Sequence, residues 1–240
     1  VALALHGYLS LAEEIDDTLD SVVVSLGASI GEWGDRQCVG HLRNLQVADE
    51  ARVPLHLIEL LLLVEDKRFW LHSGVDPIAI MRAAYLQTRN RGRLQGASTI
   101  PEQLLKSPMR RARVLGERGG RALRSCIAFP SDRFGTLLRY LDAVYLGRGT
   151  HGFARAATAY FQRPVLDLTA GQSFFLVERV ALPSRVRGAR IRNMLARRIV
   201  RDVVGSDLAS LPEIYRTQFG EESGTIVQDV VRELKVKHGR

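Results

Sequence analysis

Cysteine is almost missing from this chain of 240 residues, with Cys38 and Cys126 its two examples. They lie far apart and outside any metal-ligand spacing. That excludes a disulfide scaffold and leaves one incidental bridge, and with it the redox compartment, open. Long apolar runs are missing too. The best candidate, Val53 to Val64, covers 12 residues and contains His56 and Glu59, well short of the roughly 18 needed to cross a bilayer. A buried helix is expected there instead. No secretory leader is legible, and a start at Val1 rather than Met fits a trimmed product without its anchor. Internal repeats and low-complexity tracts are absent, and strand-like alternation is scarce.

Acids are also in short supply. Asp and Glu number 26 against 34 Lys and Arg, a net charge of +8, which points to an anionic partner: nucleic acid, a lipid surface or a phosphorylated substrate. The excess is concentrated. Between Lys106 and Arg124 stand Lys106, Arg110, Arg111, Arg113, Arg118, Arg121 and Arg124, with Glu117 the one acid among them. Hydrophobic content of 46% suffices for the core of one large domain or two small ones.

What is present reads mainly as helix. Pro54 suits an early helical position, and the apolar spacing from Leu55 predicts a helix reaching Phe69. A second is predicted over Ile78 to Gln87 after Asp76-Pro77, then a basic, glycine-punctuated loop over Arg89 to Gly96. Ser98 or Thr99 can cap a third helix beginning near Pro101. Phe134 to Leu146, Gly152 to Phe161, Ala170 to Ala181 and Ile191 to Val204 follow, with two more helices in Leu211 to Arg240. Ser10 to Leu26 reads as a helix running into a short strand at Val22 to Ser25. One α-dominated domain is predicted over residues 51–240, with residues 1–50 packed on it or leading into it.

Two runs carry chemistry. In Glu65-Asp66-Lys67-Arg68-Phe69-Trp70-Leu71-His72-Ser73-Gly74, Glu65, Phe69 and His72 share a face if the helix continues through them to a stop at Gly74. A carboxylate between Phe and His is partly desolvated, which raises its pKa and suits a general base. An ordinary surface Glu beside a core Phe is the alternative. The second run is Gly96-Ala97-Ser98-Thr99-Ile100-Pro101-Glu102-Gln103-Leu104-Leu105-Lys106, where a helix start offers N–H groups and hydroxyls to an anion, and Gln103 and Lys106 can face one ligand. A plain helix cap is the alternative there.

In this order, about 22 residues apart, the two runs resemble the leading motifs of glycosyltransferase family 51, the peptidoglycan glycosyltransferases. The resemblance continues through Arg139 to Gly149, Gly152 to Ala157, Tyr160-Phe161, Asp167 to Thr169 and Pro183 to Arg185, covering roughly Val53 to Val204. It implies a mainly α, lysozyme-like helical fold and polymerisation of lipid II. By position Glu65 is the base that takes the acceptor 4-hydroxyl proton. Asp66, Phe69, His72, Ser98, Thr99, Gln103, Lys106, Arg118 and Arg133 fall where the family holds sugar and pyrophosphate. Partners implied are lipid II, the nascent glycan strand, the membrane surface and other cell-wall synthesis proteins, rather than nucleic acid. No cofactor is required by the sequence. A divalent ion, Mg2+ or Mn2+, often assists in the family, although no dedicated cage is visible. The implied location is the extracytoplasmic face of the bacterial inner membrane. No transpeptidase half is legible, so a monofunctional protein is expected if the chain is complete.

The sequence also departs from the family pattern. The third motif, Arg-Lys-x-x-Glu, has no Glu here: aligning its Arg with Arg118 puts Ala122 at the Glu, and aligning it with Arg121 puts Ser125 there. Pro101-Glu102 stands where Thr-Gln is usual, adding a charge expected to repel pyrophosphate. Asp142 replaces Asn, Arg133 replaces Lys, and Ala154 replaces a Glu. Three readings follow: a polymerase, an impaired member that binds precursor or acts as a scaffold, and a lysozyme-like hydrolase.

Overall fold

Helix α1, Leu55–Glu65, is the hub of a mainly helical fold, as the resemblance implies. The computed structural model describes residues 51–72, 74–81, 98–105 and 132–238. Pro54 holds an extended conformation immediately before α1, and Leu57–Leu63 are buried without a break. A helix apolar on all sides can satisfy itself only inside other elements. The buried-helix reading of Val53 to Val64 therefore holds.

The expected continuation of α1 to Phe69 does not. The helix stops at Glu65, and Asp66 takes φ −157°, ψ 70°. A turn leads to a single 3-10 turn at Phe69–Leu71. Residues 77–81 are helical, with Asp76 accepting the Ala79 N–H at 3.0 Å. Helix α2 is short, Ile100–Leu104, and α3 spans Arg133–Ala143.

The helix predicted to reach Leu146 instead ends in a hairpin, β1 Tyr145–Gly147 pairing antiparallel with β2 Thr150–His151. Gly147 makes this turn possible: φ is +93°, and a Cβ there would lie 2.4 Å from the Pro183 carbonyl oxygen. Helices α4, Phe153–Phe161, and α5, Ala170–Ala181, follow as predicted, and α5 begins with a capping box between Thr169 and Gln172.

The predicted Ile191 to Val204 helix is two, α6 Gly188–Ala196 and α7 Arg198–Val204, broken at Arg197. The tail forms α8, Leu211–Phe219, and α9, Glu221–His238. Helix α5 packs on α1, and α8 packs on α5 and α9. At that junction Phe175 meets Tyr160, Phe161, Tyr215 and Phe219 with ring centroids 5.0–6.0 Å apart. The guanidinium of Arg179 lies over three of these rings and pairs with Glu178, both side chains fully buried.

Residues 1–50, the Arg89 to Gly96 loop and the later part of the Ile78 to Gln87 helix lie outside the described residues. So do Lys106, Arg118 and the region of the third motif.

Candidate active site

Glu65 ends α1 and is held from two other elements. Gln103 Nε2 on α2 donates to its Oε2 at 3.1 Å, and Arg190 Nη2 on α6 donates to its Oε1 at 3.1 Å. Each oxygen keeps acceptor capacity beyond that one bond. The Glu65 side chain is 12% exposed, so it is held yet reachable.

Gln103 is itself oriented. Tyr140 on α3 donates its hydroxyl to Gln103 Oε1 at 2.8 Å, which turns the amide nitrogen toward Glu65. Burial, followed by the charges of Glu65 and Asp66, holds the Tyr140 phenol well above its ordinary pKa. It stays a donor throughout the neutral range. Three helices distant in sequence thus aim hydrogen bonds along one line: Tyr140, Gln103, Glu65.

Asp66 is turned away from that line. Its Oδ1 lies 2.9 Å from His72 Nε2, and its Oδ2 accepts the Ile100 N–H at 2.9 Å. Nδ1 of His72 accepts from the Gly74 N–H at 3.2 Å, so Nε2 carries the proton shared with Asp66. The two sequence runs are also joined at Thr99, whose hydroxyl donates to the Gly74 carbonyl at 2.5 Å. Arg133 donates to the carbonyls of Phe69, at 2.6 Å, and of His72. Phe69 is buried and meets His72 edge to face with centroids 6.5 Å apart.

This geometry changes three sequence expectations. The shared helical face of Glu65, Phe69 and His72 does not form, because Asp66 leaves helical geometry to reach His72 and Ile100. The neighbours of Glu65 are Gln103 and Arg190 rather than an apolar wall. The start of α2 is not an open set of N–H groups: Ile100 N–H is taken by Asp66, and Thr99 N–H by Glu102 Oε2 at 2.9 Å. Glu102 also donates its own N–H to Thr99 Oγ1 at 3.3 Å, completing a capping box. Its carboxylate, expected to face a pyrophosphate, serves the helix instead.

Among the predicted residues, Glu65, Asp66, Phe69, His72, Thr99, Gln103 and Arg133 meet in one network. Ser98 is exposed and lines a cavity of about 170 Å³ with Glu65, Lys67, Arg68 and Arg197. Beneath it Arg68 pairs with Asp76 at 2.6 Å, both side chains buried. Arg190 and Tyr140 were not predicted. Tyr140 carries a faint sequence signal, a phenol on the helix face that also buries Thr136, Leu137 and Leu141. Arg190 carries none, being one of many arginines. Among the described residues no three His, Cys, Asp or Glu side chains converge on a metal site. No described helix is long and apolar enough to cross a membrane.

Comparison with known proteins bears on the same region. A family model described as Transglycosylase matches residues 35–204. The chain is 32% identical over 160 residues to penicillin-binding protein 1A of Aquifex aeolicus, covering 63% of this chain and 22% of that protein. It is 34% identical over 147 residues to penicillin-binding protein 1B of Haemophilus influenzae, covering 57% and 19% respectively. Against penicillin-binding protein 1A of the same organism the figures are 30% over 179 residues, 74% and 20%. The chain thus spans about a fifth of the length of these curated relatives.

Proposed function

The chain belongs to the transglycosylase family, and from that premise we propose that it polymerises lipid II into glycan strands with Glu65 as the general base. The observation that carries this reading is the Glu65 carboxylate itself: partly exposed beside the cavity, oriented from both sides, with acceptor capacity left on each oxygen. A base needs that combination of fixed position and a free lone pair.

In the proposed step the acceptor sugar's 4-hydroxyl gives its proton to Glu65 while its oxygen bonds to the donor's anomeric carbon. The bond from that carbon to the undecaprenyl pyrophosphate breaks with inversion, and the pyrophosphate leaves with the electron pair. Gln103 holds Glu65 in place. Asp66, His72, Thr99, Phe69 and Arg133 form the frame that joins the two runs. Ser98 at the cavity edge, together with Lys106 and Arg118, is assigned to the sugar and pyrophosphate side, where positive charge stabilises the leaving group. A metal titration of turnover tests whether Mg2+ or Mn2+ assists the step. A carrier lipid of this kind places the protein at a membrane surface, on the extracytoplasmic face of the inner membrane.

The test is polymerisation of lipid II by the purified chain beside its Glu65→Gln variant. Loss of polymer with an unchanged unfolding midpoint supports the reading; equal activity overturns it. A second reading, precursor binding without turnover, draws on the missing third-motif Glu and on the cation paired with Glu65. Binding of a moenomycin-type phosphoglycolipid with no polymer formed would favour it. Soluble muropeptides released from sacculi would instead favour the hydrolase.

A further inference from the structure

Helix α6 brings Arg190 to Glu65, and α6 is mounted on α9, the second helix of the α8–α9 hairpin. Gly188 opens α6, and a Cβ placed there would lie 2.9 Å from Ile226 Cγ2 on α9. With Ile226 opposite, a side chain at residue 188 would force the isoleucine or one of the two helices to shift. Two residues beyond Arg190, Arg192 Nε donates to Glu233 Oε2 at 2.9 Å. Ile191, Met194 and Leu195 from α6 are buried in the same core as Val227, Val230 and Val231 from α9. The family match ends at Val204, so the hairpin lies outside the segment that carries the family pattern.

Arg190 has an orienting rather than a structural geometry. One nitrogen, Nη2, reaches Glu65, while Nε is buried with no acceptor among the described residues. The pair is only partly exposed, at 28% for the arginine and 12% for the carboxylate, so it is held between two elements and still borders the reachable side of Glu65. Its effect falls on where the Glu65 carboxylate points.

We propose that Arg190 is a positioning residue for the base and that α9, packed against α6, is the element that sets it. The proposal rests on the reading of Glu65 as the base. Gln103 holds one carboxylate oxygen and Arg190 the other, which fixes the plane of the carboxylate and the direction of its free lone pairs. Without Arg190 the carboxylate turns about the single remaining bond.

The experiment compares Arg190→Gln, Arg190→Lys, Gly188→Val and the double variant Gly188→Val with Ile226→Ala, all in the full chain. Because a misplacement of about 1 Å can cost a factor on the order of 100 in rate, Arg190→Gln and Gly188→Val are expected to lower kcat by about 10- to 100-fold. KM for lipid II should stay within about twofold, since uniform substrate binding is untouched. Arg190→Lys should recover most of kcat, and Ile226→Ala should restore the Gly188→Val chain. A raised KM at constant kcat would instead make Arg190 a substrate-binding group and overturn the proposal.

A readout independent of turnover is carbodiimide labelling of Glu65 followed by peptide mass spectrometry. Labelling should rise in Arg190→Gln and Gly188→Val, and return to the wild-type rate in Arg190→Lys and in the double variant. Wild-type labelling in all four variants overturns the proposal even in a chain that polymerises nothing. The two readings fail separately: an active Glu65→Gln removes the base, whereas an inactive Glu65→Gln beside an Arg190→Gln at wild-type kcat removes only the role of Arg190.

Discussion

Asp66 and His72 are joined through the imidazole nitrogen that can donate: Nε2 lies 2.9 Å from Asp66 Oδ1, while Nδ1 accepts from Gly74 at 3.2 Å. The tautomer is therefore fixed by backbone on one side and by carboxylate on the other. In Asp66→Asn the amide nitrogen would face either Nε2–H of His72 or N–H of Ile100, and His72 could not switch tautomer to relieve the first clash without losing Gly74. With Ile100 N–H also dependent on this carboxylate, the substitution is expected to cost about 3 kcal/mol. Denaturant unfolding of the variant checks this. The native His72 ring resonances should also be lost or shifted.

Tyr140→Phe isolates the orientation of Gln103. It removes the hydroxyl that accounts for the amide's direction and leaves Gln103 Oε1 without its donor. About 1 kcal/mol of stability should be lost. Turnover should fall by a factor on the order of 10, since the carboxylate is then held less firmly. Steady-state kinetics beside thermal unfolding separates the two effects.

Glu102 tests whether a family departure lies in the helix cap or in the substrate. As the capping-box partner of Thr99 it should tolerate Gln, because either side chain can return to the cap N–H. Glu102→Ala should cost about 1 kcal/mol, and Glu102→Gln a few tenths at most. If the carboxylate repels a pyrophosphate after all, Glu102→Gln will lower KM for lipid II several-fold without altering stability.

Acid should weaken the fold in two stages. Burial holds His56 below its ordinary value of 6.5, against smaller upward effects from Leu168, Asp207 and Thr169. For Asp76, burial alone would raise the pKa, yet hydrogen bonds from Arg68 and Ala79 and the charges of Arg68 and His72 hold it below 3.8. Both values are lower in the folded chain, so the unfolded chain binds more protons and stability falls as pH falls. The contribution of His56 is present above 6.5 and is lost as pH drops through its folded value. That of Asp76 is present above 3.8 and is lost further into acid. His56→Phe should flatten the first stage and Asp76→Asn the second, read from unfolding free energy against pH.

Sequence pattern reached the helical class because apolar spacing and capping residues act locally, whereas the link between the two runs came from the family resemblance, its bonds spanning 25 and 34 residues. Thr99 at the start of α2 and Thr169 at the start of α5 follow from side chains that reach three residues. The shared face of Glu65, Phe69 and His72 failed because spacing assumes that the helix continues. It ends where Asp66 finds better partners in His72 and Ile100, and the second lies 34 residues away. Arg197 breaks the Ile191 to Val204 helix with neither Gly nor Pro, its guanidinium donating to the Leu63 carbonyl. Arg190 meets Glu65 across 125 residues. Only the packing of α6 distinguishes it from its neighbouring arginines.

The bond from Thr99 to the Gly74 carbonyl has a consequence for how this chain can be rebuilt. It closes a circuit: the polypeptide leaves the site at Gly74 and re-enters it at Thr99, with both ends fastened to the frame that holds Glu65. The cost of closing such a circuit grows only logarithmically, about 0.6 kcal/mol for each doubling of its length. Chain length between the two points is therefore a weak constraint, whereas Asp76, paired with Arg68 beneath the cavity, and Ser98 at its edge are fixed ones. A change of length between the helix at residues 77–81 and Ser98 should be accepted with the carboxylate still in register, whereas a single insertion between Glu65 and Gly74 should not.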